Sequence, residues 1–339
     1  MRFSLAGLQP EIGSFTSGHP FMRDWLASLR SNPHARHEAF PQELLPDPSI
    51  GELALRLADL RRKLRRILPK DDKIVAATVR TLLRLEIRLV EPYRIALMGE
   101  FNAGKSSIAN LLVGTSMMPT RAVSNTCVPT LMRYASAPSL VAVCRDGSKL
   151  TLHEGTLPDV GTVTRLDVSL PVERLRVMEI ADLPGISDPW LQTQALDVTR
   201  LGVDAAIWCT LGTQAWKDSE RVAWLNLPAQ VRRDGLLIAT NKDLLQGDEE
   251  VKVLSRLRHL AGTLFQDVVM LATPQALSAL DPRRTESDRA AIRQASGGAA
   301  LEGHVRTMLR SLAKRRFDVI ADAAERAAGR ALQRLQDHT

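Results

Sequence analysis

The stretch GEFNAGKSS, Gly99 to Ser107, constrains this chain more than any other. It matches G-x-x-x-x-G-K-[ST] and lies between a short apolar run, YRIALMG from Tyr93, and the helical pattern KSSIANLLV. Strand, glycine-rich loop and helix in that order build a phosphate cradle. Backbone N–H groups close around phosphate oxygens where a side chain would collide, and the helix N-terminus adds partial positive charge. The candidate nucleotide contacts are therefore Gly99, Glu100, Phe101, Asn102, Ala103, Gly104, Lys105, Ser106 and Ser107. Lys105 is expected to reach the β and γ phosphates, and Ser106 to offer its hydroxyl to Mg²⁺.

Three further signals follow in the order this chemistry needs. DLPG, Asp182 to Gly185, comes after the apolar run RVMEIA; there Asp182 can hold Mg²⁺ through water and the Gly185 N–H can meet the γ phosphate. TNKD, Thr240 to Asp243, comes after LLIA and points to guanine. A carboxylate at Asp243 accepts from guanine N1–H and N2–H₂, a donor pair adenine lacks, and leaving such a carboxylate unpaired discriminates by a factor of roughly 10⁴. Asn241 is expected to brace the P-loop and the stem of Lys242 to cover the base. LATPQAL, from Leu271, is placed to contact the guanine oxygen through the backbone of Ala272 and Thr273. Between P-loop and DLPG lies MPTRAVSNTCVPT, whose Thr126 is the candidate to hold Mg²⁺ and the attacking water; Thr120, Ser124 and Thr130 remain alternatives. Ile186 follows DLPG, so no glutamine at that position orients the water.

GEFNAGKSS, MPT with NTCVPT, DLPG, TNKD and the run TQAWKDSERVAW from Thr213 together resemble the dynamin superfamily in its bacterial branch, over roughly residues 93 to 280. The long segment between Gly104 and Asp182 leaves room for the extra strands of such domains. The resemblance implies hydrolysis of GTP to GDP and phosphate, with two GTP-binding domains pairing head to head across their nucleotides as a homodimer or heteromer. Phe101 stands where the family often has Gln or Arg; Asn102, a candidate catalytic residue beside Lys105 and Thr126, keeps a polar side chain for the β phosphate. Arg121 is either an arginine finger or a solvated loop residue. Too few residues follow Pro274 for a family-type stalk, so a separately encoded helical partner is one expectation.

The expected fold is α/β: a P-loop NTPase with a doubly wound mixed sheet, helices on both faces, and a flanking α-helical bundle from the N- and C-terminal segments. The expected division is a loop-rich arm at 1–48, a helical hairpin at 49–91, the GTPase domain at 92–280, a polar linker at 281–298 and a C-terminal helix at 299–339. Leu53, Leu57, Leu60, Leu64 and Ile67 set the stripe of the first helix; Leu301, Val305, Met308, Leu312 and Val319 set that of the last. Trp216 and Trp224, eight apart on an expected helix, read as core.

With 45% hydrophobic and 24% charged residues, disorder is not the dominant state. Cys127, Cys144 and Cys209 form no CxxC pair, which suits reduced thiols. No run approaches the length of a membrane span, and MRFSLAGLQPEIG is too short and polar for a signal peptide, so the expected location is cytoplasmic, with peripheral contact at the inner membrane open. The net charge of +7 permits an anionic partner. The run Arg61, Arg62, Lys63, Arg65 and Arg66, and the aromatics Phe3, Phe15, Phe21, Trp25 and Phe40, raise an anionic membrane surface; a solvated bundle face is the favoured reading of the run, and an arm docked on the bundle explains the aromatics as well. A ribosome- or RNA-associated GTPase is the first rival, disfavoured because no RNA-binding module follows the core, and a non-hydrolysing GTP-sensing scaffold is the second.

Overall fold

The computed structural model describes residues 48–67, 73–115, 128–152, 162–185, 198, 200–214 and 216–336. The aromatic arm, Thr126 and its alternatives Thr120 and Ser124, Arg121, Cys127 and Ile186 lie outside the described residues.

Two helices, α1 (Pro48–Ile67) and α2 (Lys73–Val90), lead into β1 (Tyr93–Gly99) and α3 (Lys105–Val113). Then come β2 (Thr130–Tyr134), β3 (Ser139–Cys144), β4 (Lys149–Thr151), β5 (Val163–Leu170), β6 (Met178–Asp182) and β7 (Ala205–Leu211). The remainder is α4 (Asp218–Leu225), α5 (Ala229–Arg232), β8 (Leu236–Thr240), α6 (Glu249–Ala261), β9 (Asp267–Met270), α7 (Thr273–Ser278), α8 (Glu286–Ser296) and α9 (Gly298–Gln336).

Among the described residues the strands form one sheet in the order β4-β3-β5-β2-β6-β1-β7-β8-β9. β1 pairs in parallel with β6 and β7, and β8 and β9 extend that parallel half. The other half is mixed, because β2 runs antiparallel to β6. A strand covered on both faces must be apolar throughout, which explains YRIALMG. Ile95 and Leu97 face a core shared with Ile108 of α3 and Leu301 and Met308 of α9. Ala96 and Met98 face a second core with Trp208, Trp216, Trp224 and Phe265. Trp216 is core as expected but precedes α4, at a φ of 57°.

A third core holds the helices: Leu57 and Leu64 of α1, Val79, Leu82 and Leu89 of α2, and Ile320, Ala324 and Ala327 of α9. The 39-residue α9 thus serves two cores, its first turns lying on the sheet and its later ones on α1 and α2. Its inward position after Leu312 is Arg316, followed by Ile320, whereas Val319 is exposed; this corrects the expected stripe. Arg316 is 8% exposed, lies 3.7 Å from the centre of the Tyr93 ring and pairs with Asp204 at 3.2 Å. Its neighbour Arg315 pairs with Asp234, which also accepts from the Ser311 hydroxyl at 2.7 Å. Asp204 and Asp234 stand just before β7 and β8, so α9 grips the strands at their starts.

The polar stretch expected as a linker contains a helix, α8. Thr285 caps it, its side chain accepting from the Asp288 N–H at 3.1 Å, and Gly297 ends it at a φ of 87°. Cap and stop were both present, but a short helix with little buried surface looks polar in sequence.

Candidate nucleotide site

The P-loop, DLPG, TNKD and the turn after β9 all lie at the carboxyl ends of parallel strands, β1, β6, β8 and β9, where open α/β sheets bind ligands. Gly99 touches its neighbour strand so closely that a Cβ there would sit 2.0 Å from the Cys209 carbonyl oxygen, at a φ of 137°. A Cβ on Gly185 would meet the Phe101 nitrogen at 2.7 Å. DLPG and the P-loop are thus in backbone contact, and each glycine is there to permit it.

Lys105 opens α3 and is buried; its ammonium donates to the carbonyls of Glu100 at 2.7 Å and Gly99 at 3.3 Å, holding the charge over the loop. The Ser106 hydroxyl donates to Asp182 Oδ2 at 2.6 Å. Asp182 Oδ1 is buried without a hydrogen-bond partner. Burial pushes the Asp182 carboxyl up to about 6, against the opposing pull of the Ser106 hydrogen bond and the Lys105 charge. A hydroxyl and an unpartnered carboxylate oxygen side by side are the hard oxygen donors Mg²⁺ takes, so these residues fit that ion. Asn102 adopts a φ of 61° within the loop, and Phe101 is 49% exposed at its mouth. Thr130, an alternative to Thr126, belongs to β2, paired across from Asp182, with its hydroxyl buried and unpartnered.

On the base side the structure adds contacts around three of the expected residues. Thr240, beside Asn241, reaches the P-loop: a Cβ on Gly104 would lie 3.4 Å from its methyl, and its hydroxyl donates to the Thr210 carbonyl at 3.2 Å. Thr240 is the last residue of β8 and faces its neighbours in the sheet, whereas the chain turns at Asn241 with a φ of 60°. Lys242 sends its ammonium to the Ala295 carbonyl at 3.2 Å and to Glu250 at 2.9 Å, which ties its end to α8 and α6. The Ala272 N–H donates to the Ser296 carbonyl at 2.9 Å, and the Thr273 hydroxyl is buried and unpartnered. Asp243 lies on a short 3₁₀ turn, Lys242–Leu244, directly after the positive-φ residue.

One residue the sequence reading missed is Glu220. It is 1% exposed and accepts from Trp208 Nε1, from the Thr210 hydroxyl and from the Lys217 N–H, at 3.0, 3.0 and 2.9 Å. Its position three residues into α4 was a capping signal, but its reach to β7 was not in the sequence.

No protein-family model matches the chain. Dynamin-like protein 2 of Campylobacter jejuni is 27% identical over 202 residues, covering 58% of this chain and 33% of that protein. Isoniazid-induced protein IniC of Mycobacterium tuberculosis is 36% identical over 113 residues, covering 31% of this chain and 23% of the relative. The fold matches a chain of an oligomerised bacterial dynamin pair with a TM-score of 0.61 at 16% identity, over 88% of this chain and 57% of that one. The chain is similar to bacterial dynamin-like proteins in sequence and in fold. That solved dynamin pair is described as sensing and tethering membranes over long range. The chain spans a third or less of the length of both curated relatives. Among its described residues no helix is long and apolar enough to cross a membrane.

Proposed function

We propose that this chain binds GTP with Mg²⁺ and hydrolyses it to GDP and phosphate. The observation that carries the reading is the Ser106–Asp182 pair, with one buried carboxylate oxygen unpartnered beside the Lys105 ammonium. Ser106 and Asp182 would hold Mg²⁺, which when bound neutralises charge on the β and γ phosphates. Lys105 balances the same phosphate charge from the loop side, the P-loop N–H groups orient the chain of phosphates, and Gly185 supports that loop through backbone contact. Asp243 accepts from the guanine edge, and Thr126 is the candidate that holds the attacking water.

The resemblance to dynamins supports a second step, pairing of two copies across their nucleotide faces. The exposed Phe101 at the mouth of the loop, an apolar side chain where hydrolysis would otherwise draw on a polar one, supports it too. Pairing excludes water and strengthens each electrostatic contact at the transition state. On this reading turnover by the isolated chain is slow and specific activity rises with protein concentration. Peripheral contact with an anionic membrane and a separately encoded helical partner remain part of the proposal. The membrane contact draws on Arg62, Lys63, Arg65 and Arg66, exposed on α1, of which Lys63 also pairs with Asp59 at 2.8 Å; Arg61 is engaged with Glu86 at 3.0 Å.

Multiple-turnover phosphate release with GTP and ATP, at a series of protein concentrations, tests both steps. The expected result is release from GTP alone, steeper than linear in protein, and a loss of at least about 100-fold in Lys105→Ala, the scale of one transition-state donor. Release unchanged in Lys105→Ala would remove the P-loop assignment. A rate strictly proportional to protein, from a monomer, would remove pairing.

A further inference from the structure

Glu220 holds more than the start of its helix. A helix N-terminus is served by the single bond from the Lys217 N–H, and an exposed glutamate or glutamine does that work elsewhere. Burying the carboxylate costs several kcal/mol unless donors meet it, and here two extra donors come from β7: Trp208 Nε1 to Oε1 and the Thr210 hydroxyl to Oε2. Beyond Thr210 the bonds continue toward the base-side turn. The Thr210 carbonyl accepts the Thr240 hydroxyl at 3.2 Å, and the Gly212 N–H donates back to the Thr240 carbonyl at 2.9 Å. Thr240 is 1% exposed and is followed at once by the positive-φ Asn241 and the turn bearing Asp243.

We propose that Glu220 is a positioning residue for guanine recognition, acting through Thr210 and Thr240 on the turn that carries Asp243. The inference rests on the reading of Asp243 as the carboxylate that meets the base. Glutamine cannot replace Glu220 here. One end of an amide is a donor, and whichever way it is turned it faces either the Trp208 N–H or the Thr210 and Lys217 donors. The turn then loses a fixed anchor and the carboxylate of Asp243 is no longer held in one place.

The test is a ratio of affinities, because an unfolded fraction scales every nucleotide alike and leaves a ratio untouched. The full chain is titrated with GDP and with inosine diphosphate, which lacks only the 2-amino group, and with ADP. Wild type is expected to prefer GDP over inosine diphosphate by about tenfold or more, the worth of one hydrogen bond to a charged group. Glu220→Gln is expected to reduce that preference about fivefold or more, toward one. Thr210→Val, which removes the hydroxyl while keeping volume and strand propensity, is expected to do the same and decides the matter if Glu220→Gln does not fold. Both variants keeping the wild-type ratio, whatever their melting temperatures, would overturn the inference alone. A wild type that does not prefer GDP over ADP would overturn the reading of Asp243 and the inference with it.

Discussion

Asp182 is the residue where charge, burial and function meet most directly. Its carboxyl sits at about 6 against an ordinary value of 3.8, so the native state binds its proton more tightly than the unfolded chain does. The sign follows: without a divalent cation, this group makes the fold more stable as pH falls from 7 through 6 toward 4, by at most about 3 kcal/mol. Calorimetry of the cation-free protein at pH 7 and pH 5 should show a smaller acid loss, or a gain, in wild type relative to Asp182→Asn. Parallel pH slopes in the two proteins would show that this carboxyl is not strained. A bound cation needs the carboxylate, so Mg²⁺ affinity is expected to weaken as pH falls through about 6. At Asp243, exchange to Asn should weaken GTP and favour xanthosine triphosphate, whose 2-oxo group accepts where guanine's amino group donates. Competition binding with the two triphosphates checks it, and an unchanged preference would mean that Asp243 does not read the base.

At the scale of elements, identical chemical changes should have opposite effects according to what surrounds them. Gly99→Ala, at the end of β1, puts a methyl 2.0 Å from the Cys209 carbonyl at a backbone angle that L side chains rarely adopt. It should cost roughly 3 kcal/mol or more, or prevent soluble expression. Gly303→Ala, inside α9, meets nothing within 4 Å and should stabilise by about 0.5–1 kcal/mol through helix propensity. Urea midpoints at constant slope measure both. A neutral Gly99→Ala would mean that β1 and β7 can separate at their carboxyl ends, and the site with them.

At the scale of the whole molecule, α9 joins sheet and bundle, and its arginines make the joint. Arg316→Met keeps the bulk but leaves Asp204, among the described residues, with Arg88, at 2.6 Å, and the Arg94 N–H, at 2.9 Å. The expected cost is about 3 kcal/mol, as for a broken buried pair. Trp208, Trp216 and Trp224 report the sheet core, while far-UV circular dichroism is dominated by helices such as α9. The two signals should unfold together in wild type and apart in Arg316→Met. Coincident transitions in the variant would show that the apolar faces of α9 hold the two parts together without the charge. Removing residues 299–339 should cause aggregation, since it bares the sheet face around Ile108 as well as the stripes of α1 and α2.

The local signals were legible because they act over a few residues. Gly99 to Ser107 needs only a strand before it and a helix after it, and the apolar runs of β1, β7 and β8 read as buried strands from composition alone. The same locality marks Asp182, at the end of an apolar strand and the start of DLPG, as a carboxylate suited to a cation. What sequence could not supply was the partner of a side chain many residues away. That Thr240 lies against Gly104 depends on which way β8 ends, which the sequence around TNKD does not show. The Lys242 ammonium meets Ala295 and Glu250, and the stripe of α9 slips to Arg316 and Ile320 because Asp204 and the Tyr93 ring await an arginine there. Helix α8 was hidden since its stability comes from caps and neighbours, not from a large apolar face. Propensity and short motifs determined the elements and the chemistry they carry; long-range pairing of buried charge, which exists only once the chain has closed on itself, decided which residues hold them in place.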